Sequence, residues 1–122
     1  MLRIAKDSGL TDVVSDDGSN PIQTQHPISG SSETIQAYLF NDDSTKRYES
    51  ITITPEDTTD TDESSWIELS LDGTNFSSSI SPADISDTSA HAFYVRVTTP
   101  SVSDTQNKTD IKLSVTGTEF AV

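Results

Sequence analysis

The stretch WIELSLDGTNFSSSI (Trp66–Ile80) decides the reading of the fold. Ile67, Leu69 and Leu71 fall on one side of an extended chain, with Trp66, Glu68 and Ser70 on the other. This alternation is the mark of a half-buried strand. Asp72-Gly73 follows, a pair that tolerates the positive φ of a tight hairpin turn. The pattern predicts a hairpin in which Trp66–Leu71 pairs back on Phe76–Ile80, with Thr74-Asn75 lengthening the loop.

The same period recurs on both sides. Glu33–Asn41 alternates Ile35, Ala37 and Leu39 with Gln36, Tyr38 and Phe40. Lys46–Pro55 sets Ile51 and Ile53 against Thr52 and Thr54. His91–Thr98 sets Phe93, Val95 and Val97 against Tyr94 and Arg96, and Asp110–Phe120 groups Ile111, Leu113 and Val115. Ile22–Ile28 reads as a short polar strand that Pro27 confines to an edge. No long window carries a helical period. SPADIS (Ser81–Ser86) is expected to form one helical turn, capped by Ser81 with Pro82 in first position. Residues 1–20 read as an N-terminal arm, partly strand, or as a frayed terminus. Leu2 and Ile4 flank Arg3 there, and a turn-prone acidic run ends at Asn20-Pro21. The expectation is all-β: an immunoglobulin-like (Ig-like) sandwich of about seven antiparallel strands over residues 21–122, preceded by the arm.

Composition narrows the partners. Seven basic residues against 20 acidic ones give a net charge of −13 and a pI near 4.1. Such a chain repels phosphate backbones and anionic membrane surfaces, so neither nucleic acid nor membrane is an expected partner. A basic protein surface or a cation remains compatible. At 122 residues the chain is one domain, long enough to bury about two thirds of its unfolded surface without a staple. Cysteine is absent, as suits a reducing compartment. Lys6, Asp7, Asp12, Asp16 and Asp17 interrupt any signal-peptide-like apolar run, and no stretch approaches the roughly 20 apolar residues of a membrane span. Synthesis in the cytosol is expected. The Ser/Thr-rich β composition, by contrast, resembles proteins that work outside cells. A bacteriophage virion protein, assembled in the cytosol and active outside it, satisfies both.

Chemistry-bearing constellations are sparse. Asp57, Asp60, Asp62 and Glu63 cluster in one predicted loop, and hard cations take about six to eight oxygens. The spacing is not that of an EF-hand, so the loop is either a Ca²⁺ site or solvated charge; no other cofactor is expected. His26 and His91 are the only histidines, too few for a zinc site. Serines and aspartates abound, yet no nucleophile elbow accompanies them, and the protein is expected not to be an enzyme. Asn75-Phe-Ser77 and Asn107-Lys-Thr109 match the glycosylation pattern by coincidence of a Ser/Thr-rich chain. Tyr38, Phe40, Trp66 and Tyr94 have the opposite parity from the aliphatic stripe. They are either outward contacts for protein or sugar, or are covered at strand ends or by the arm.

The frame MLRIAKDSGL…NPIQTQHP, followed by LFNDD, ITITPED, WIELSLDGTNFS and NKTDIKLSVTGTEF, resembles small Ig-like virion proteins of tailed bacteriophages. The resemblance implies a structural role, that of a capsid decoration (cement) protein bridging neighbouring subunits through the N-terminal arm and strand edges, or of a tail or baseplate accessory. It implies as partner the major capsid protein or another phage structural protein, with self-association, and a location in the virion. It transfers no site residues. From the alternation itself, the expected contacts are Leu2 and Ile4 of the arm and the outward Tyr38 and Tyr94. A carbohydrate-binding module using the same aromatics is the rival reading.

Overall fold

The computed structural model describes residues 1–15, 20–57, 63–103 and 111–122. The chain forms six strands: β1 (Leu2–Ala5), β2 (Ser31–Asn41), β3 (Lys46–Asp57), β4 (Ile67–Ser70), β5 (His91–Thr99) and β6 (Ile111–Ala121). One 3-10 turn, Glu63–Trp66, precedes β4. The described residues contain no α-helix. Four strands form one antiparallel sheet in the order β1-β2-β5-β4, and β3 pairs with β6 in the other.

The alternation read from the sequence sets the core. Along β2 and β5, Ile35 pairs with Val95, Ala37 with Phe93 and Leu39 with His91; β1 adds Ile4 opposite Leu39, and β4 adds Leu69 opposite Val95. Phe93 and Leu69 are fully buried. From the second sheet, Tyr48, Ile51 and Ile53 join the same apolar cluster. Strict alternation would put Tyr48 and Ile51 on opposite faces. A β-bulge between Glu49 and Thr52, with Ser50 at φ 55°, adds a residue to β3 and resets its parity. Gly117 lies opposite this bulge. A Cβ there would stand 3.3 Å from both Ile51 Cγ1 and Leu2 Cδ1, so its bare backbone lets β1 approach β6.

The hairpin of the opening stretch forms only in part. Leu69 exchanges both backbone hydrogen bonds with Ser77, and pairing ends there. By Ile80 the chain has changed sheets and exchanges both bonds with Ile53; Ile85 does the same with Tyr48. The expected helical turn at Ser81–Ser86 is therefore replaced by an extended run along the outer edge of β3. Leu71 is 48% exposed, against the expected inward position. Ser70 Oγ accepts from the amides of Asp72 and Gly73 and turns the chain before Leu71 can continue the strand. Ile22–Ile28 is not a strand; it meets its neighbours through isolated bonds such as Val102 N–H to Ile28 C=O.

The strand character expected at the start of the arm belongs to the sheet itself. Leu2–Ala5 is a sheet strand, with Ile4 and Ala5 buried. Residues beyond it fold back: Val14 N–H bonds Ile4 C=O, and Lys6 N–H bonds Asp12 C=O, covering the outer edge of β1. Apolar Leu2 and Ile4 find the inner face of β2 beside them, so burial outweighs the freedom of a loose terminus.

Two stability outcomes follow from these positions. Leu69→Ala is expected to cost about 2–5 kcal/mol, and Leu71→Ala within about 0.5 kcal/mol, in urea unfolding. Deleting residues 1–5 should lower the urea midpoint, because it strips a paired strand and two buried side chains; an unchanged midpoint would contradict the integral role of β1.

Candidate functional site

The outer face of the four-stranded sheet carries the candidate contact residues. Across β1, β2 and β5 one row reads Ala5, Tyr38, Ala92; the next, across β2, β5 and β4, reads Gln36, Tyr94, Ser70; a third reads Thr34, Arg96, Glu68. Tyr38 and Tyr94 are thus diagonal neighbours, both half-buried and bordered by small residues. The Tyr94 ring lies 3.3 Å from where a Cβ of Gly73 would stand. Gly73 has φ 81°, so the Asp72-Gly73 turn both needs and exploits the missing side chain. Beside them Arg96 donates to Glu68 (3.0 Å) and lies over the Phe76 ring (4.0 Å).

The four expected contact residues therefore divide. Tyr38 and Tyr94 share one outward surface. Ile4 is in the core, and Leu2 is half-buried beside Gly117 on the inner face. Of the other opposite-parity aromatics, Phe40 is buried, and Trp66 ends the 3-10 turn instead of joining the strand. Asp60 and Asp62 of the calcium reading lie outside the described residues; Asp57 closes β3 and Glu63 opens the 3-10 turn. Among the described residues no three His, Asp or Glu side chains gather in a metal-binding group.

Asp87, Ser89 and His91 meet on the surface. Asp87 Oδ1 and Ser89 Oγ both approach the same ring nitrogen, His91 Nε2, at 3.1 and 3.4 Å. A relay needs the acid and the nucleophile on opposite nitrogens, so this geometry is a turn and not a triad. His26 is held between Ser31 Oγ and Thr24 Oγ1. A shallow concavity between Lys6, Ile22, Gln23, Ile35, Gln36 and Ala37 has one charged group, and Lys6 Nζ already donates to Asn20 Oδ1.

Four aspartates organise the turns. The Asp72 carboxylate is held well below the usual range by the amides of Asn75 and Thr74, then by the side chains of Asn75 and Ser70. Asp7 is lowered by the Thr11 hydroxyl and the Asp12 amide, and Asp43 by the hydroxyl and amide of Thr45. Asp87 is lowered by the Ser89 hydroxyl and by His91. Sequence reading marked Asp72-Gly73 but not the others; the pattern Asp-x-Ser/Thr at Asp43 and Asp87 was the available signal. In β3, burial and the hydrogen bond to Glu119 push Tyr48 up to about 12.

The chain was compared with known protein families, curated proteins and solved structures, and it matches none of them.

The turn carboxylates give a pH dependence of definite sign. Their folded pKa values lie below the unfolded value of about 3.9, so their stabilisation is full above that value and is lost as pH falls through the folded pKa. The urea midpoint should drop as pH is lowered below about 4, and Asp72→Asn should flatten part of that drop. A variant with the parent's acid profile would show that the Asp72 hydrogen bonds do not differ between folded and unfolded chains.

Proposed function

We propose that the protein is a non-enzymatic structural component of a bacteriophage particle, an Ig-like sandwich that decorates the capsid surface and bridges neighbouring subunits. The strand order supports the fold part of this reading. In a constant-type Ig domain one sheet runs A-B-E-D and the other C-F-G. Numbering the present strands in chain order gives β1-β2-β5-β4 and β3-β6, the same arrangement with the seventh position empty among the described residues. A cysteine-free chain with tightly bonded turns also suits assembly in a reducing cytosol followed by service outside it.

The observation that carries the binding part is the outward tyrosine pair. Tyr38 and Tyr94 present two large amphipathic rings over Ala5, Ala92, Ser70 and Gly73, next to the paired charges of Arg96 and Glu68. Aromatic rings and arginine are the side chains that most often anchor protein contacts, because they bury much area for little lost conformational freedom. A tail or baseplate accessory would use the same surface. The same two rings suit a carbohydrate-binding module, which is the second reading.

Binding to phage particles assembled without this protein tests the proposal. Tyr94→Ala, verified as folded, is expected to weaken binding by about tenfold or more. Affinity should persist at about 0.5 M salt, where the Debye length is only a few ångströms and charge attraction is screened. Loss of binding at that salt would reject an aromatic, largely apolar contact. Absence of binding to any particle, with capture on a glycan array, would favour the carbohydrate module.

A further inference from the structure

We propose that the outer edge of β6 is a docking site for the β6 of a second copy of this chain, joining the two small sheets into one continuous sheet. The inference rests on the geometry of the β3–β6 sheet and is independent of the virion role.

The hydrogen-bond parity identifies the open groups. Ile53 and Tyr48 exchange their backbone bonds with Ile80 and Ile85, on the side of β3 away from β6. Their partners in register, Val115 and Glu119, therefore make no backbone bonds to them. The N–H and C=O groups of Val115 and Glu119 point to the other edge, and alternation adds those of Leu113 and Gly117. Pro55 lies opposite Leu113, where its missing N–H is not needed by β6. No described residue pairs with β6 on that outer side. The remaining strand edges are treated differently. Residues 12–14 cover β1, Ser77 covers β4, and Ile80 and Ile85 cover β3. Leu113 and Val115 sit half-buried at the rim of the core beside the open edge, where an added strand would shield them.

Charge argues for a second copy as the occupant. A chain at −13 repels itself over most of its surface. This sheet is the exception. Lys46 pairs with Glu119, Arg47 with Glu49 and Lys112 with Glu56, so three of the chain's seven basic residues are neutralised here. Along β6 the outward-facing polar residues Ser114, Thr116 and Thr118 are uncharged and exposed or half-buried. A two-fold axis beside Thr116 makes the strand complementary to itself. Thr116 then faces its own copy, Ser114 faces Thr118, Lys112 faces Phe120, and the main chains of Val115 and Gly117 exchange hydrogen bonds. No like charges oppose one another, and Thr–Thr and Ser–Thr cross-strand pairs are favourable. Both faces and the bonding alternation stay in phase in this register.

Sedimentation velocity of the full chain over a range of concentrations tests the site. A reversible dimer is expected. Thr116→Lys should weaken it at least tenfold, since two lysines would meet on the axis, while the urea midpoint, measured at a dilution where the parent is monomeric, stays that of the parent. Thr118→Lys, which faces Ser114, should weaken it less. Amide hydrogen exchange at Val115 and Gly117 should slow as concentration rises, and at Thr116 should not change, because its amide already bonds β3. A protein that stays monomeric throughout would overturn the proposal. So would a dimer indifferent to Thr116→Lys, or one whose Val115 and Gly117 amides exchange equally fast at all concentrations.

Discussion

The crossing between Ser77 and Ile80 holds the two sheets in one body. Ser77 exchanges both of its backbone bonds with Leu69, and Ile80 exchanges both with Ile53. So short a span cannot slacken: an extended chain advances about 3.3 Å per residue, so the path from one sheet to the other is almost taut. Leu69, Ile53 and Ile80 are all buried, so the Ile53–Ile80 pair is shielded from water by the side chains it brings together, while Ser77 itself is exposed. Shifting the chain here by one residue would send Ile80 outward and Ser79 inward, against the whole aliphatic cluster.

Two further devices make that crossing compatible with the rest. The bulge at Ser50 allows Tyr48 and Ile53 to reach the core from one strand while both bond the returning segment at Ile85 and Ile80. The buried polar residues serve turns. Asn41 Nδ2 donates to Lys46 C=O and its Oδ1 accepts from the Asp43 amide, closing β2 onto β3; Ser70 does the corresponding work after β4. Each is fully buried and bonded both as donor and as acceptor, which lowers the cost of burying polar atoms.

What could be read from the sequence follows from the kind of signal involved. Strands β2, β3, β5 and β6 show their alternation in aliphatic residues, and hydrophobic period is a local property. The turn at Asp72-Gly73 was legible for the same reason. The destination of Phe76–Ile80 was not, because a serine-rich run pairs equally well with either sheet and tertiary packing of Ile80 decides. The bulge was hidden, since Ser50 is no glycine to mark a left-handed residue. Leu2 and Ile4 showed strand character but not which strand they join. Of the candidate surface, the outward parity of Tyr38 and Tyr94 was visible; their diagonal placement depends on the β2–β5 register, which pairs residues far apart in the chain.

The unequal treatment of the strand edges has a consequence for solubility. A body with two adhesive edges adds copies without limit and grows into fibres, which is the hazard of β-proteins rich in Thr and Val. Here Pro55 interrupts the donors along β3, the turn-back at Val14 occupies β1, and β4 is only four residues long. Among the described residues the edge of β6 is the long one left open, so the pairing proposed above would close at two copies. Copies gathered at high concentration would then pair off instead of polymerising.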